Sequence, residues 1–581
     1  MLIQKILISM SNINYQILLE NLQDILSDDY PNFDKKKLEI TRTTRKEFGD
    51  FSSNIAMRLS SLENKNALDI AHELTSKLSL RVSNKIKVEG PGFINFYIDN
   101  KSKVKVLKKI IEEKYEYGKP SHISNKKINI EFVSANPTGP IHVGHGRGAV
   151  LGDSLANILK FCGYKVVKEY YINDAGRQID ILTISVILRT LNKFNTNIEF
   201  PESAYQGDYI FNLVDTIGDE YLKQLKDLAK FDITPNVEND DEKILDFYIN
   251  FFKKNCECYK NLQNQFLNFQ VNECKKDLQS LGINYDHWFS EKQLHENGKI
   301  DQVIKKLDTA GHLISKDNAI WFDSKKFGDD KLRVIVRDNG DKTYFASDLA
   351  YHEIKLQDYD QSINIWGADH HGYVKRVRNG MKALKLDEKK LEIILVQFAN
   401  LKKNNEVLPM STRKGEFFKL TELVKEVGAD ATRLFYLLRR SDQHMDFDID
   451  LAKDNSKDNP VYYVQYAYAR CHNLMKKSKF DSYSSVYNKL ELLNLEQELS
   501  ILDKLDEFPD IIKSVSLKFT PHILVDYLRN LSKLFHNYYA AVQIISQDVD
   551  LTNIRLSLVY GVSLTLKNGL NLLGISSPEN M

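Results

Sequence analysis

The spacing of apolar residues changes near residue 133, from every second position to every third or fourth. In the segment KINIEFV, Ile128, Ile130 and Phe132 fall on one face and Glu131 on the other, which is the period of a β-strand. Over residues 150–159 apolar residues recur at helical spacing. We therefore predict a strand that leads into a helix, with the segment SANPTGPIHVGHGR at the junction between them.

Similar patterns divide the chain into three predicted regions. Residues 1–120 combine amphipathic helix, as in NINYQILLENLQDIL, with short turn-bounded strands, as in IKVEGPGFINFYI, and predict a small α+β domain. Residues 121–455 alternate helices with strand-like runs (KINIEFV, YKVVKEYYI, RVIVR, SINIWGA and EIILVQF), which predicts a parallel α/β sheet. A helical insertion is expected at about 200–280, and residues 456–581 are predicted to be wholly helical.

Composition and charge narrow the class of protein. A chain of 581 residues should hold several domains, because single cores usually stop growing at roughly 250–300 residues. Its 80 Lys and Arg residues balance 79 Asp and Glu residues, so any basic surface for nucleic acid must be local. Five irregularly spaced cysteines suit a reducing compartment, and the cytoplasm is the expected location.

Membrane insertion and secretion are not expected from this sequence. No run of about 18 apolar residues occurs, which argues against a transmembrane protein. The opening MLIQKILISM is apolar but has no small-residue cleavage site, so it is not interpreted as a signal peptide. Met10 is an alternative start to Met1.

The motif HVGH, from His142 to His145, stands at the predicted start of a helix. Imidazoles and backbone N–H groups there face the positive end of the helix dipole, where phosphate binds well, and Gly144 lets a ligand approach without meeting a Cβ. An HxxH pattern alone is more commonly explained by two ordinary histidines on a turn. Zinc is not favoured, because no cysteine or carboxylate stands at ligand spacing, and the GxGxxG and P-loop patterns are absent.

A second motif, PMSTRKGE, spans Pro409 to Glu416 late in the same region. Ser411, Arg413 and Lys414 would offer hydroxyl and cationic groups to a polyphosphate whose charge must be neutralised as it leaves. Taken alone, the segment is equally consistent with a solvated basic turn.

Together, HVGH and MSTRKG resemble the HIGH and KMSKS signatures of class I aminoacyl-tRNA synthetases. The sequence around these two motifs resembles the arginyl-tRNA synthetase family in particular, and the resemblance covers nearly the whole chain. The matching blocks, in order, are GDFSSNIA, GPGFINF, SANPTGPIHVGHGRGA, YYINDAGRQ, DHWFSE, FGDDK, TYFASDLAYH, WGADHHGYVKR, MSTRKG and NPVYYVQYAYAR.

This resemblance implies a multidomain α/β protein: a class I Rossmann-like parallel-sheet catalytic domain, an N-terminal α+β domain that contacts tRNA and a C-terminal all-α anticodon-binding bundle. The implied activity joins L-arginine to ATP, giving arginyl-adenylate and pyrophosphate, and then moves arginine to the 3′ end of tRNA(Arg) in protein synthesis. Mg²⁺ is expected with the ATP, and no tightly bound metal, no membrane and a monomeric state are the family-like expectations. The family generally requires tRNA for activation, and the sequence leaves open whether this chain does.

The resemblance also implies roles for individual residues. His142, His145, Ser411, Arg413 and Lys414 would be catalytic through charge stabilisation. The expected ATP contacts are Pro137, Gly139, His142, Gly144, His145, Gly367, Asp369, His370 and Met410. The opening lysine of KMSKS is replaced by Pro409, which leaves open whether Arg413 or Lys414 meets the phosphates and whether Lys126 or Lys127 compensates.

Arginine must be preferred over lysine, and carboxylates that accept paired N–H donors fit the planar guanidinium fork. Glu291 and Asp348 are the expected partners of that group, with Tyr344 packing beside the substrate. Asn136 would hold the substrate's carboxylate or amino group. Glu131, which ends the predicted strand before HVGH, is a further arginine contact or an ordinary strand carboxylate.

For tRNA, the candidates are Tyr463, Tyr466 and Arg470 in the C-terminal helices. Unpaired bases commonly stack on aromatic and Arg side chains, although packing in the bundle core explains tyrosines equally well. Two other functional classes stay open at this point. One is an adenylate-forming enzyme of similar fold with another product, and the other is a synthetase-derived binding protein that has lost catalysis.

Overall fold

The computed structural model describes residues 13–43, 45–78, 83–120, 125–194, 198–230, 233–235, 240–408, 418–478 and 487–581. The chain divides into two compact units. Unit 1 contains Met1–Ser124, Phe161–Gly163 and Ser456–Met581, and unit 2 contains Asn125–Lys160 and Tyr164–Asn455.

The N-terminal part of unit 1 packs helices on one antiparallel sheet. Its helices are α1 (Ile13–Asp29), α2 (Ile55–Glu63), α3 (Ala67–Lys77) and α4 (Asn100–Glu113). Its strands are β1 (Ile40–Arg42), β2 (Phe51–Ser53), β3 (Ser83–Glu89) and β4 (Phe93–Ile98), in the order β1-β2-β4-β3. Gly90 and Gly92 have φ of 58° and 119°, which is the glycine conformation that the β3–β4 hairpin turn requires.

Unit 2 is built on a parallel sheet in the strand order β12-β11-β5-β6-β7. These strands are β5 (Lys127–Phe132), β6 (Lys165–Ile172), β7 (His287–Ser290), β11 (Gln361–Gly367) and β12 (Leu391–Val396). Ile130 and Phe132 on one face of β5 are fully buried, and Asn129 and Glu131 on the other are also buried. Burial on both faces is what a parallel sheet covered by helices requires. The predicted fold class is confirmed.

One predicted strand belongs to a different sheet. The run RVIVR contributes β10 (Arg333–Val336), which pairs antiparallel with β9 (Ala319–Phe322), and β9 pairs with β8 (Leu313–Lys316). Its expected place in the parallel sheet was wrong, because a short apolar run does not reveal its partners. A further sheet has the order β14-β13-β15, with β13 (Ala399–Lys403), β14 (Glu406–Val407) and β15 (Met445–Asp448).

The helices of unit 2 cover the parallel sheet and form the segment between β6 and β7. They are α5 (Val143–Phe161), α6 (Arg177–Asn192), α7 (Tyr209–Val214), α8 (Asp219–Leu228), α9 (Asp241–Asn255), α10 (Tyr259–Gln279), α11 (Glu291–Glu296), α12 (Lys299–Thr309), α13 (Tyr344–Asp358), α14 (His371–Ala383), α15 (Leu420–Val427), α16 (Ala429–Tyr436) and α17 (Ile449–Lys453). Helices α7 to α10 share an apolar core with α6. The described residues between α6 and β7 contain no strand.

The C-terminal part of unit 1 is helical throughout its described residues. Its helices are α18 (Pro460–Ser478), α19 (Glu496–Asp506), α20 (Phe508–Lys518), α21 (His522–Ala541) and α22 (Val549–Leu572). Short 3-10 helices elsewhere are Lys35–Lys37, Lys46–Phe48, Lys114–Glu116, Ser324–Phe327, Ala368–His370, Glu388–Lys390 and Tyr487–Leu492. In the part of the chain that the structure describes, no helix combines the length and apolar content needed to cross a membrane.

Candidate active site

A cavity of about 590 Å³ opens in unit 2 where the parallel strands end. Its wall includes Ser134 after β5, Asn173 after β6, Gly367 at the end of β11 and Phe398 after β12. The strand order reverses between β5 and β11, and ligands of open α/β sheets bind at such a switch point. The cavity therefore lies where the sheet topology predicts a binding site.

The turn after β5 has a strained backbone. Val133 has φ of 69° and Ser134 has φ of 41°, a left-handed conformation that is rare for a β-branched residue and costs about 1–3 kcal/mol per residue. Two bonds hold the turn: Ser134 Oγ donates to Glu131 Oε1 at 3.0 Å and accepts from the Tyr171 N–H at 3.1 Å. Strain of this kind clusters at ligand sites, and both residues line the cavity.

The HVGH segment lies at the N-terminus of α5, as its position in the sequence predicts. The His142 and His145 rings pack with centroids 3.9 Å apart, and His142 Nδ1 accepts from the Gly144 N–H at 3.1 Å. A Cβ at residue 144 would lie 2.8 Å from the His142 ring, so this glycine is required by the packing of the motif itself. A Cβ on Gly146 would lie 2.7 Å from Tyr436, which shows that Gly146 serves helix packing.

Both histidines of the motif are neutral at pH 7. Burial lowers the pKa of His142, and burial together with His142 lowers the pKa of His145 to about 3. His145 lines the cavity, whereas His142 is not among the wall residues. Within the described residues, the buried Nδ1 of His145 has no hydrogen-bond partner. His145 therefore presents a neutral ring with an unused nitrogen beside the cavity.

Two carboxyl groups, half-buried Asp348 and buried Glu291, lie near each other at the α13 end of the site. Asp348 lines the cavity and accepts a hydrogen bond from the Tyr373 hydroxyl. Burial, with a further contribution from Glu131, raises the pKa of Asp348 to about 7. Burial also raises the pKa of Glu291 to about 7, with Asp348 and Asp174 adding to the effect.

Glu291 lies behind the cavity surface instead of on it. Its side chain is 2% exposed and is absent from the wall, and it hydrogen-bonds with Ser347 and Tyr171. Its Oε2 has no hydrogen-bond partner among the described residues. A buried acceptor without a donor is costly, so this oxygen retains an unused capacity to accept a hydrogen bond.

Glu131, in contrast, already has a counter-ion. Lys355 Nζ lies 2.8 Å from Glu131 Oε2 and donates to Asn364 Oδ1 at 2.7 Å. The Asn364 amide donates to His352 Nε2 at 2.8 Å, and His352 Nδ1 donates to the Asp348 carbonyl at 2.7 Å. Burial acts to raise the pKa of Glu131, but Lys355 outweighs it and the pKa is lowered.

The other predicted ATP and arginine contacts divide into two groups. Those on the cavity wall are Asn136, Gly144, Tyr344, Gly367, Asp369 and His370. Tyr344 is 48% exposed, and Asn136 Oδ1 accepts from the Asn173 amide at 3.0 Å. Pro137 and Gly139 are not on the wall, and a Cβ on Gly139 would lie 3.3 Å from the Tyr209 ring. Gly139 therefore packs against α7, and the ATP contacts predicted for Pro137 and Gly139 stay predictions.

Met410, Ser411, Arg413 and Lys414 lie outside the described residues. The chain that follows them is informative, however. The Phe418 carbonyl accepts from the Val143 N–H at 3.1 Å, and the Leu420 N–H donates to the Ile141 carbonyl at 2.9 Å. Lys419 forms an isolated antiparallel bridge with His142. The described chain from Phe418, which follows the second motif in sequence, therefore lies directly beside HVGH.

Sequence reasoning did not assign several residues that shape the cavity. They are Tyr171, Asn173, Gln178, Tyr351, His352, Lys355, Asn364, Tyr373 and Phe398. Asn364 had a usable signal, because an amide between Ile363 and Ile365 in a buried strand requires polar partners. Lys355, two turns after Asp348 on α13, had no such signal in its immediate neighbours.

In unit 1, the tRNA candidates form an aromatic cluster on α18 and α21. Arg470 donates to the Tyr466 hydroxyl at 3.0 Å, and its guanidinium lies 4.5 Å from the Tyr466 ring centre and 4.3 Å from that of Tyr539. His536 accepts from Arg470 at 3.0 Å and donates to the Tyr463 carbonyl at 3.2 Å. Tyr463 and Tyr466 are half-buried, so only part of each ring packs within the helical bundle.

Three family models match the chain in order. They are the arginyl tRNA synthetase N terminal domain over residues 16–98, the class I (R) tRNA synthetase catalytic domain over 106–444 and the DALR anticodon binding domain over 464–581. An arginine--tRNA ligase of Thioalkalivibrio sulfidiphilus is 42% identical over 97% of this chain and 99% of its own length. One from Nitrosospira multiformis is 44% identical over 94% of each chain. Among solved structures, Thermus thermophilus arginyl-tRNA synthetase matches with a TM-score of 0.72 at 20% identity, over 97% of this chain and 100% of that one.

Proposed function

The chain belongs to the arginyl-tRNA synthetase family and is an arginine–tRNA ligase, and from this premise we propose how its residues divide the work. The reaction uses ATP, arginine and tRNA(Arg). The arginine carboxylate attacks the α-phosphate of ATP, pyrophosphate leaves, and the activated arginine passes to the terminal ribose of tRNA. No covalent bond to the protein is needed, so catalysis comes from positioning and charge stabilisation.

Arginine's guanidinium is assigned to Asp348 and Glu291, with Tyr344 and Tyr373 beside it. The observation that carries this assignment is a pair of carboxyl groups, both with pKa raised to about 7, with which no Lys or Arg of the described residues forms an ion pair, the nearby Lys355 being paired with Glu131 instead. A guanidinium supplies that charge and has paired N–H donors. The ammonium of lysine is a compact point charge that cannot bridge two acceptors in the same way.

The α-amino and carboxylate groups of arginine are assigned to the turn after β5. Asn136 and Asn173 present linked amides on the wall. Glu131 is ionised beside Lys355, so it offers a fixed negative charge toward the substrate's ammonium without a change in protonation. In this proposal, the arginine contact predicted for Glu131 is with the α-amino group of the substrate.

ATP is assigned to the part of the wall formed by Gly144, His145, Gly367, Asp369 and His370. His145 is neutral, so it would donate or accept a hydrogen bond, while positive charge comes from the helix N-terminus and from Arg413 or Lys414. Ser411 and Met410 belong to the same assignment, because Lys419, which follows them in sequence, bridges His142. The phosphate oxygens would replace the missing partner of His145 Nδ1.

Magnesium is proposed to enter with ATP and to neutralise charge on the phosphates. The described residues contain no group of three His, Cys, Asp or Glu side chains able to hold a metal. This fits Mg²⁺ that is bound mainly by phosphate oxygens and water. Asp369, an exposed carboxylate on the wall, is the residue we assign to face it.

The remaining assignments concern tRNA and the state of the protein. Tyr463, Tyr466 and Arg470 are proposed to stack against anticodon bases, supported by their partly exposed faces and by the DALR match over this region. We propose an N-terminal tRNA-contacting domain over 1–120, a catalytic domain over 121–455 and an anticodon-binding domain over 456–581. A monomeric state and a cytoplasmic location complete the proposal, and the latter fits five free thiols.

Arginine-dependent ATP–pyrophosphate exchange, run with and without tRNA(Arg), tests the assignment of the guanidinium site. We expect exchange with arginine and not with lysine, and only when tRNA is present. Lysine exchange at a comparable rate would contradict the proposed fork of carboxylates. Equal exchange without tRNA would contradict the expected order of assembly.

A further inference from the structure

A pair of cysteines in the helical insertion has no role in the reaction described above. Cys256 and Cys258 flank one residue at the junction of α9 and α10, and their Sγ atoms lie 3.1 Å apart. Both side chains are buried, at 5% and 2% exposure. Because a disulfide bond is about 2.05 Å long, the two sulfur atoms need to approach by only about 1 Å to bond.

The backbone around the pair favours a thiolate on Cys256. Cys258 caps the N-terminus of α10, where the helix dipole is positive. The Cys256 and Cys258 sulfur atoms share a hydrogen bond, and the backbone N–H groups of Cys258 and Tyr259 also point at the Cys256 sulfur. These hydrogen bonds, with that from Cys258 the largest, lower the pKa of Cys256. Burial instead raises the pKa of Cys162 and of Cys274 to about 12.

A small reagent can reach Cys256 from a second cavity. This cavity, of about 690 Å³, has Cys256 on its wall together with Asp174, Gly176 and Asp180. Its basic wall residues are Lys253, Lys254, Lys260 and Lys292. Glu257 is also on this wall and acts to raise the pKa of Cys256, so the hydrogen bonds to the Cys256 sulfur are what favour its thiolate, the form that attacks peroxides and disulfides.

The junction is tied to the active site through α6. Asp180 on α6 accepts from Lys253 Nζ at 2.7 Å on one side of the cysteine pair, and from the Tyr259 hydroxyl at 3.1 Å and the Gln263 amide at 2.9 Å on the other. The first turn of α6 carries Gln178, which lines the catalytic cavity. A change in the α9–α10 junction would therefore alter the support of a cavity wall.

We propose that Cys256 and Cys258 form a reversible disulfide on exposure to hydroperoxides, and that this modification lowers the rate of arginylation. The Cys256 thiolate attacks the peroxide oxygen, forming a sulfenic acid while the O–O bond breaks and the leaving oxygen takes a proton. The Cys258 thiol then attacks that sulfur, the S–S bond forms and water leaves. In total, two thiols and one hydroperoxide give a disulfide, an alcohol or water, and water. A dithiol reductant reverses the change by exchange.

Trypsin offers a direct assay, because cleavage after Lys254 and Lys260 releases both cysteines in the single peptide NCECYK. Full-length protein would be treated with hydrogen peroxide, alkylated without reduction, digested and weighed by mass spectrometry. We expect this peptide to lose two hydrogen atoms and both alkylation sites, and to regain them with dithiothreitol. The variant Cys258→Ser should lose this product, and Cys471→Ser should keep it.

A peptide that stays fully alkylated while Cys162 or Cys274 becomes oxidised would overturn the proposed site. The coupling to catalysis has its own readout. Oxidised wild-type protein should arginylate tRNA severalfold more slowly and recover with dithiothreitol, whereas the double variant Cys256→Ser/Cys258→Ser should keep the unoxidised rate after peroxide. An unchanged wild-type rate after complete disulfide formation would overturn the coupling. Failure of the proposed substrate contacts is distinguishable, because it would appear before oxidation.

Discussion

Two acidic regions beside the catalytic cavity differ in whether a positively charged side chain neutralises them. Glu131 is paired with Lys355 at 2.8 Å, and the chain of bonds continues through Asn364 to His352. Among the described residues, no Lys or Arg forms an ion pair with Asp348 or Glu291, and burial raises the pKa of each to about 7. A carboxylate that is compensated within the protein stays ionised and fixed in place, whereas an uncompensated one gains its counter-ion only from a substrate. The difference indicates which carboxyl groups await the guanidinium.

The largest effect should come from removing an uncompensated carboxyl group. Asp348→Ala should lower kcat/KM for arginine by about 10³-fold, because a buried charge left without its partner costs about 3–5 kcal/mol. ATP binding should persist, since Asp348 is assigned to arginine alone. Arginine-dependent ATP–pyrophosphate exchange measures the first effect, and nucleotide binding by equilibrium dialysis measures the second.

Asp338→Ala is the matched control for that experiment. Asp338 is an exposed carboxylate in the turn before α13, so its removal should leave exchange unchanged. Retention of exchange by Asp348→Ala within tenfold of the wild-type value would contradict the guanidinium assignment.

Disrupting the ion pair between Glu131 and Lys355 should lower the free energy of unfolding. Lys355→Met leaves Glu131 buried beside an apolar side chain and should lower the free energy of unfolding by about 3–5 kcal/mol. Lys306 offers a control at the same 2.8 Å distance from a carboxylate, Glu353, but Lys306 is 52% exposed, so Lys306→Met should cost about 0–1 kcal/mol. Urea unfolding measures both variants.

A double variant sharpens this result. Glu131→Gln combined with Lys355→Met should recover part of the loss, because no unpaired charge is then buried. Equal losses for Lys355→Met and Lys306→Met would show that burial does not distinguish the two pairs.

The fold was largely predictable from the sequence, because strand and helix periods are local. The strand expected over 127–133 is β5 at Lys127–Phe132, and the helix expected after HVGH is α5. The place of β10 was not predictable, since a four-residue apolar strand does not specify its neighbours. Pairing is decided by contacts that a local pattern does not contain.

The candidate site was predictable as a set of motifs but not as a network. Glu131 and Asp348 could be named from their segments, but their opposite charge states depend on Lys355, which is 224 residues from Glu131 in sequence. The strained turn at Val133 and Ser134 was not predictable from the sequence either, because neither residue type indicates a left-handed backbone. Distant contacts decide which of several similar carboxylates is available to a ligand.

Arginine affinity should depend on pH because of the uncompensated pair. A carboxyl group with pKa near 7 is mostly protonated at pH 6 and mostly ionised at pH 8, and only the ionised form attracts guanidinium, which stays charged throughout. We expect about a tenfold tighter Kd for arginine at pH 8 than at pH 6. Isothermal titration calorimetry in two buffers of different ionisation enthalpy would also detect proton release.

Neighbouring groups should not produce this dependence. The pKa of His352 is lowered to about 4 by burial and by Lys355, and that of Glu131 also lies below its usual value, so neither group titrates between pH 6 and 8. Because Asp348 still titrates near pH 7, Glu291→Gln should keep part of the dependence, and the double variant Asp348→Asn/Glu291→Gln should flatten the profile. A profile that is flat in the wild-type protein would contradict the raised pKa values of the pair.

The smallest effects should separate the two regions by the sign of their contribution to stability. Ionisation of Glu291 opposes folding, because its pKa is raised in the folded protein to about 7, so its cost is absent below its unfolded pKa and grows as the pH rises to 7. Glu291→Gln should therefore raise the free energy of unfolding at pH 8 by about 1–3 kcal/mol and change it little at pH 4. Glu131 has a lowered pKa, so its stabilising contribution is present above its unfolded pKa, and Glu131→Gln should destabilise at pH 8. Denaturant unfolding of both variants at the two pH values measures these signs. If both substitutions destabilised equally at pH 8, the distinction between a scaffold carboxylate and a substrate carboxylate would fail.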